Sequence, residues 1–318
     1  MFIQRRSVGQ YAIAAVAAAA LLMLVITSAS AAPDPHQPSL AAMAIAGTDL
    51  SPGARVSRQG YRRESSFALY YERVFRRGAS FRKARLLDLE ADVGLASDPG
   101  KARSFVSGIE RALKSKKLRR QLANEVLAGA PPGVKVTFGR VGNVAIGDQA
   151  FIAPFSISIK GLVHLQFMIA AVRVDRVDQI LFLAGMPGTK LSRGKVAALL
   201  RLADAHITAG LTPTVITAPT IGGTPQSGQT LTATSGVWTN TPSSYAYQWL
   251  RCDGTGANCQ PIVDATTSTY VVADADVGST VRVEVTATDA VATSAAADSD
   301  ATTVVTAAPA AADPGLGR

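Results

Sequence analysis

Lys and Arg nearly vanish from this chain at Leu211-Thr212-Pro213, and no single fold class suits both sides of that point. Residues 33 to 211 hold 27 Lys+Arg and 14 Asp+Glu, a net of +13, whereas residues 212 to 318 hold 3 and 9, a net of −6. Such asymmetry marks a domain boundary, and each side is long enough to fold alone. The sequence predicts a linker at 33–38, a basic α+β domain at 39–211, an all-β domain at 212–306 and a disordered Ala/Pro/Gly tail at 307–318.

The first 32 residues read as a signal peptide. Arg5 and Arg6 form a positive start, Tyr11 to Ile26 is an unbroken apolar run, and small residues from Thr27 to Ala32 lead to Pro33. That run has 16 residues, short of the roughly 20 that span a bilayer. Cleavage between Ala31 and Pro35 is expected; the rival is an uncleaved N-terminal anchor. Arg5-Arg6 hints at twin-arginine export, but Gln4 and Gly9 are poor neighbours for it. With no Cys near the cleavage site, a Cys-linked lipid anchor is excluded. No later stretch predicts a membrane span. The expected location is outside the cell, secreted or associated with the cell wall.

In the basic domain, Ser39 is placed to cap a short helix, Leu40 to Ala46, stopped by Gly47. Val56 to Tyr61 reads as a strand. Phe67, Leu69 and Tyr71, then Leu87, Leu89, Ala91 and Val93, alternate with polar residues, as in a hairpin turning near Gly78-Ala79-Ser80; the first arm also fits a helix. Asp98-Pro99 opens a helix with Phe105, Ile109, Ala112 and Leu113 on one face. Leu118 to Leu127 forms another helix. Val134, Val136 and Phe138, then Phe151 to Ile159, Leu162 to Val174 and Val177 to Leu183, follow period two. They are separated by turns at Lys160-Gly161 and Asp175-Arg176 too short for parallel crossovers. A last helix spans Ser192 to Ala209. Strands in succession with flanking helices define α+β, an antiparallel sheet flanked by helices. The layout resembles small secreted lipoproteins with a helix-backed antiparallel sheet, an analogy of architecture that implies no function.

Motifs for catalysis are weak. The domain has no Cys, and His36, His164 and His206 show no metal-ligand spacing. Ser80-Phe81-Arg82-Lys83 and Ser192-Arg193-Gly194-Lys195 match S-x-x-K, but the companion motifs of acyl-serine enzymes are missing. Gly188 to Lys195 resembles a phosphate loop with one residue too many, and Val196 stands where a Ser or Thr is needed. Gly147-Asp148 reads as a turn, and Asp148 as a catalytic acid has no evident partner. No catalytic residue, cofactor or metal site is expected.

The informative feature is Lys114-Ser115-Lys116-Lys117-Leu118-Arg119-Arg120, five of whose seven residues are basic. One reading is a solvated helix end that complements a helix dipole. The other is a ligand-binding patch, Lys114, Lys116, Lys117, Arg119 and Arg120, for an anionic envelope polymer or membrane surface. Sequence-specific nucleic-acid reading is not expected, since no known module fits.

Beyond Pro213 the pattern is β throughout. Strands are expected at Gln229 to Thr234, Tyr245 to Arg251, Thr269 to Val272, Val281 to Ala287 and Ala301 to Val305. Gly223 to Ala233, Gly236-Val237-Trp238, Tyr245 to Cys252, Cys259, Tyr270, Asp274 to Gly278 and Val281 to Thr288 carry a resemblance. Over Pro219 to Val304 the chain resembles the bacterial immunoglobulin-like repeat of secreted and surface proteins of high-GC Gram-positive bacteria. It departs at Asp289-Ala290-Val291-Ala292, where that repeat has an Asn-Gly turn. The resemblance implies an immunoglobulin-like β-sandwich acting as spacer or adhesive module without catalysis, with Trp249 in the core and Trp238 in the core or exposed as a contact.

Cys252 and Cys259 are the chain's two cysteines, and an exported protein keeps disulfides. The turn-forming Asp253 to Asn258 can fold them together; the alternative, a two-thiol metal site, lacks further ligands nearby. The whole reads as a non-enzymatic binding protein, with an exported enzyme working on an envelope polymer from the α+β domain as its rival. A purely structural envelope protein is a third reading. Clustered perturbed carboxylates near Asp148 or Asp175 would favour the enzyme; a flat basic face would favour binding.

Overall fold

A computed structural model of the chain describes residues 38–50, 54–62, 67–76, 80–81, 84–128, 130, 132–159 and 163–309. The expected signal peptide and cleavage site, the expected turns at Gly78-Ala79 and Lys160-Gly161, and the tail beyond Pro309 lie outside the described residues. Two compact units result, one built on Ser39–Gly210 and one beginning at Leu211. The chain is rich in β-structure, and every pairing between named strands is antiparallel.

The first unit holds helices α1 (Leu40–Met43), α2 (Pro99–Lys114), α3 (Lys116–Leu127) and α4 (Arg193–Leu211). Its strands are β1 (Val56–Arg62), β2 (Leu69–Arg76), β3 (Ser80–Phe81), β4 (Ala84–Leu95), β5 (Val134–Phe138), β6 (Gly142–Asn143), β7 (Gln149–Ile159), β8 (Val163–Val174) and β9 (Val177–Gly185). One nine-stranded sheet runs β1-β2-β4-β9-β8-β7-β5, with β3 on β4 and β6 on β7. The segment β7-β8-β9 is a meander, and Asp175, at φ 52°, turns the chain between its last two strands.

Cross-strand partners share a face of the sheet. On the front face, α2 places Val106 and Leu113 against Phe151, Ala153, Ile169, Ala171 and Ile180. Asp98 starts this helix by accepting from the Lys101 amide at 2.9 Å, with Pro99 in the first turn. The buried stripe runs through Ala102, Val106, Glu110 and Leu113, while Phe105 and Ile109 flank it. Helical spacing of the apolar residues alone puts Phe105, Ile109, Ala112 and Leu113 at the centre of the face, whereas the buried stripe is shifted to include a carboxylate. Glu110 is tolerated there because Lys114 Nζ at 2.5 Å and Gln149 Nε2 at 3.1 Å both donate to it.

On the back face, Arg73 donates to the carbonyls of Ala41, Ala44 and Ile45 at 3.0–3.2 Å. Those bonds take the place of another helical turn, which is why α1 ends at Met43 and a short 3-10 turn, Gly47–Asp49, follows.

The second unit contains β10 (Val215–Thr217), β11 (Ile221–Gly222), β12 (Thr230–Ala233), β13 (Val237–Trp238), β14 (Ser244–Cys252), β15 (Gln260–Pro261), β16 (Thr269–Val271), β17 (Thr280–Thr288) and β18 (Ala297–Asp298). They form sheets β10-β13, β11-β12-β16 and β15-β14-β17-β18. One core gathers Leu231, Trp238, Trp249, Val281, Val283, Val285, Ala287 and Val305. Both indole N–H groups are satisfied, Trp249 by Thr267 O at 2.8 Å and Trp238 by Ser235 O at 2.7 Å.

The expected final strand at Ala301 to Val305 is not a regular one. Its region runs beside β17, but hydroxyls stand in for some carbonyls: Ser294, Ser299 and Thr302 accept from the amides of Ala287, Val283 and Val281 at 2.9–3.1 Å. The ladder is thereby broken into the short β18 and single contacts. The preceding turn closes because Asp289 accepts from the amides of Val291 and Ala292. Ala307, at the start of the expected tail, is tied down by Gln226 Nε2 at 3.1 Å. Cys252 and Cys259 are disulfide-bonded. Among the described residues no helix is long and apolar enough to cross a membrane.

Candidate functional site

The basic run lies across the α2–α3 junction, and its five cations differ in their surroundings. Lys114 pairs with Glu110. Arg119 lies over the Phe138 ring at 5.8 Å and donates through Nε to Leu113 O at 2.5 Å. Lys116, Lys117 and Arg120 are exposed and make no ion pair among the described residues. The patch is therefore three free cations beside one pinned guanidinium.

Asp148 has the partners that the sequence did not show. Its Oδ2 accepts from the Asp175 amide at 2.6 Å and lies 3.4 Å from Arg173 Nη1, so it braces the β8–β9 turn. Ser192 likewise sits at the start of α4, its Oγ accepting from the Lys195 amide at 3.4 Å, which accounts for the second S-x-x-K match as a helix cap. His206 Nε2 lies 3.5 Å from Asp49.

The clustered carboxylates stand elsewhere, on β2 and β4 of the front face. Glu72 is directly opposite Asp92 in the ladder, and Glu90 is two residues along the same face. One oxygen from each lies within 4.8 Å of the others. Glu72 and Asp92 are both 1 % exposed. Arg58 Nη2 at 2.5 Å and Arg62 Nε at 3.5 Å reach Glu72 from the sheet edge. Burial, then the Glu90 charge, pushes the Asp92 carboxyl well above the usual range. Burial, then Glu72, pushes Glu90 up to about 7. Tyr70, on the same face, has its phenol pushed up by burial and then by Asp92.

Phe67 closes one end of this cluster. Its ring packs on Tyr70 at 5.8 Å and on Phe105 at 4.7 Å, and it occupies the space a Cβ on Gly94 would need, 2.4 Å away. At the other end Glu90 and Asp88 border a shallow open cleft floored by Phe155, Phe167 and Phe182.

Period-two reading missed these residues. Asp88, Glu90 and Asp92 alternate with Leu87, Leu89 and Ala91, and alternation assigns such acids to solvent. The available signal was three acids at consecutive same-face positions of one strand. No family model matches the chain, and no curated protein does.

Proposed function

We propose that this is an exported, envelope-associated binding protein without catalytic activity. Its basic α+β unit contacts an anionic envelope polymer or membrane surface, and an immunoglobulin-like sandwich serves as spacer or adhesive module. The observation that carries this reading is the exposure of Lys116, Lys117 and Arg120 without acidic partners among the described residues. Arg119, fixed over Phe138, gives that patch a rigid backing. Near anionic lipid each such cation adds about 1 kcal/mol, so changing all three to Gln should weaken binding to anionic vesicles or purified wall polymer roughly a hundredfold. Wild-type binding should also fall as salt rises. A triple variant that binds as tightly as wild type would return the run to a solvated helix end. For the second unit, short antiparallel sheets around Trp249 support the sandwich reading.

The enzyme reading keeps one supporting observation, the raised Glu90 carboxyl beside an aromatic-floored cleft. Cleavage of an envelope polymer by the purified chain, abolished in Glu90→Gln, would establish it over the binding reading.

A further inference from the structure

We propose that Glu72, Glu90 and Asp92 bind a hard divalent cation, calcium or magnesium, that enters beside Glu90. This goes beyond the binding reading above and does not depend on it. The strand register puts Glu72 and Asp92 side by side, an arrangement of like charges that costs stability unless something lies between them. Asp92 is the telling group. Both its carboxylate oxygens are buried, and among the described residues neither makes a hydrogen bond of ordinary geometry, the Tyr70 phenol being the one donor that interacts with them, whereas buried polar atoms are ordinarily satisfied.

Charge points the same way. Arg58 and Arg62 reach Glu72 alone. Glu90 and Asp92 have no cation within ion-pair distance among the described residues, leaving two carboxylates to be neutralised. Three oxygen donors drawn within 4.8 Å of one another suit a cation of the calcium or magnesium class, with water completing its shell. The donor set has no nitrogen or sulfur to favour zinc or copper. Access comes through Glu90, which is partly exposed and also lines the open cleft.

The test is calorimetric titration of Ca²⁺, and separately of Mg²⁺, into the full exported chain stripped with chelator. One saturable site is expected. At a hundredfold excess over Kd the melting temperature of the first unit should rise by roughly 5–10 °C. Asp92→Asn and Glu90→Gln should each weaken affinity at least tenfold. Absence of uptake of either cation at about 10 mM, above the weakest extracellular range, would overturn the proposal, as would unaltered affinity in both variants. Should the variants fail to fold, terbium decides in the unaltered chain. Its emission should be sensitised through Tyr70, fall on adding Ca²⁺ and be lost in Tyr70→Phe. No Tyr-sensitised emission, or emission indifferent to that change, sinks the site.

Discussion

Asp276 in the second unit and Asp92 in the first are equally hidden from water, and their surroundings are opposite. Asp276, in a 3-10 turn (Asp274–Asp276), accepts from Arg251 Nε at 2.6 Å, Tyr270 Oη at 2.5 Å and the Ala273 amide at 2.8 Å. Asp92 has two acids for neighbours and, among the described residues, no hydrogen bond of ordinary geometry to either oxygen, only the Tyr70 phenol close by. The first arrangement staples a turn to β14 and is complete within the chain. The second lowers the stability of the unit that holds it, which is the mark of a group kept for something outside the chain.

The same substitution at each site should therefore have opposite signs. Asp276→Asn replaces one accepting oxygen with a donor that faces only donors. It should destabilise the second unit by on the order of 3 kcal/mol, less than for a fully buried pair because Arg251 keeps contact with water. Asp92→Asn, measured in chelator, should raise the melting temperature of the first unit. If both variants melt lower by similar amounts, the contrast between a structural and a ligand-directed carboxylate fails.

Asp178 sharpens the comparison through pH. It sits across the ladder from Arg173, with both oxygens buried and without hydrogen-bond partners. Burial pushes its carboxyl up to about 8, with Arg173 pulling the other way. In the unfolded chain it ionises near 3.9. Between those values the unfolded state sheds a proton that the fold keeps, so stability falls as pH rises through this window and is flat above it. Asp178→Asn should flatten that dependence, leaving the share due to Glu90 and Asp92. It should raise melting of the first unit by several degrees at pH 8 and barely at pH 4. A variant with the wild-type pH slope would mean that Arg173 neutralises Asp178 in the fold.

These cases show where sequence reading reaches and where it stops. Val281, Val283, Val285 and Ala287 alternate in sequence and are all buried, because one face of β17 meets one core. In the first unit β4 lies between β2 and β9, and Ala91 pairs with Leu181, ninety positions away. No local pattern encodes that pairing, which makes β4 a central strand, with Asp92 on it hidden from water. The acidic cluster was thus illegible for a physical reason: alternation tells which residues share a face, not whether water reaches it. The basic run was legible as composition, but which cations were free depended on Phe138 and Glu110, neither adjacent in sequence to its partner.

Reduction of the Cys252–Cys259 bond probes the second unit from its edge. The ring is short, with a separation of 7, and loop entropy limits its contribution to ~2.5 kcal/mol. Asp253 already organises the loop, accepting from the Thr255 and Ala257 amides and from Asn258 Nδ2. Reduced protein should keep its fold, with a denaturation midpoint for this unit modestly lowered. Intact mass with and without reductant checks the bond itself, and collapse of the unit on reduction would show that the bond, not the Trp249 core, specifies it.

The smallest expected effect on stability separates the cations of the basic run. Arg119→Gln loses the contact over Phe138 and the bond to Leu113 O, and should cost the first unit about 1 kcal/mol. Changing Lys116, Lys117 and Arg120 together to Gln touches no such partner. It should alter stability by no more than about 0.5 kcal/mol, leaving any loss of polymer or vesicle binding unconfounded by unfolding. Chemical denaturation of both variants, run beside the binding assay, reads the two quantities independently. If the triple variant is destabilised as much as Arg119→Gln, the three exposed side chains hold the α2–α3 junction together, and their exposure stops being an argument for a partner.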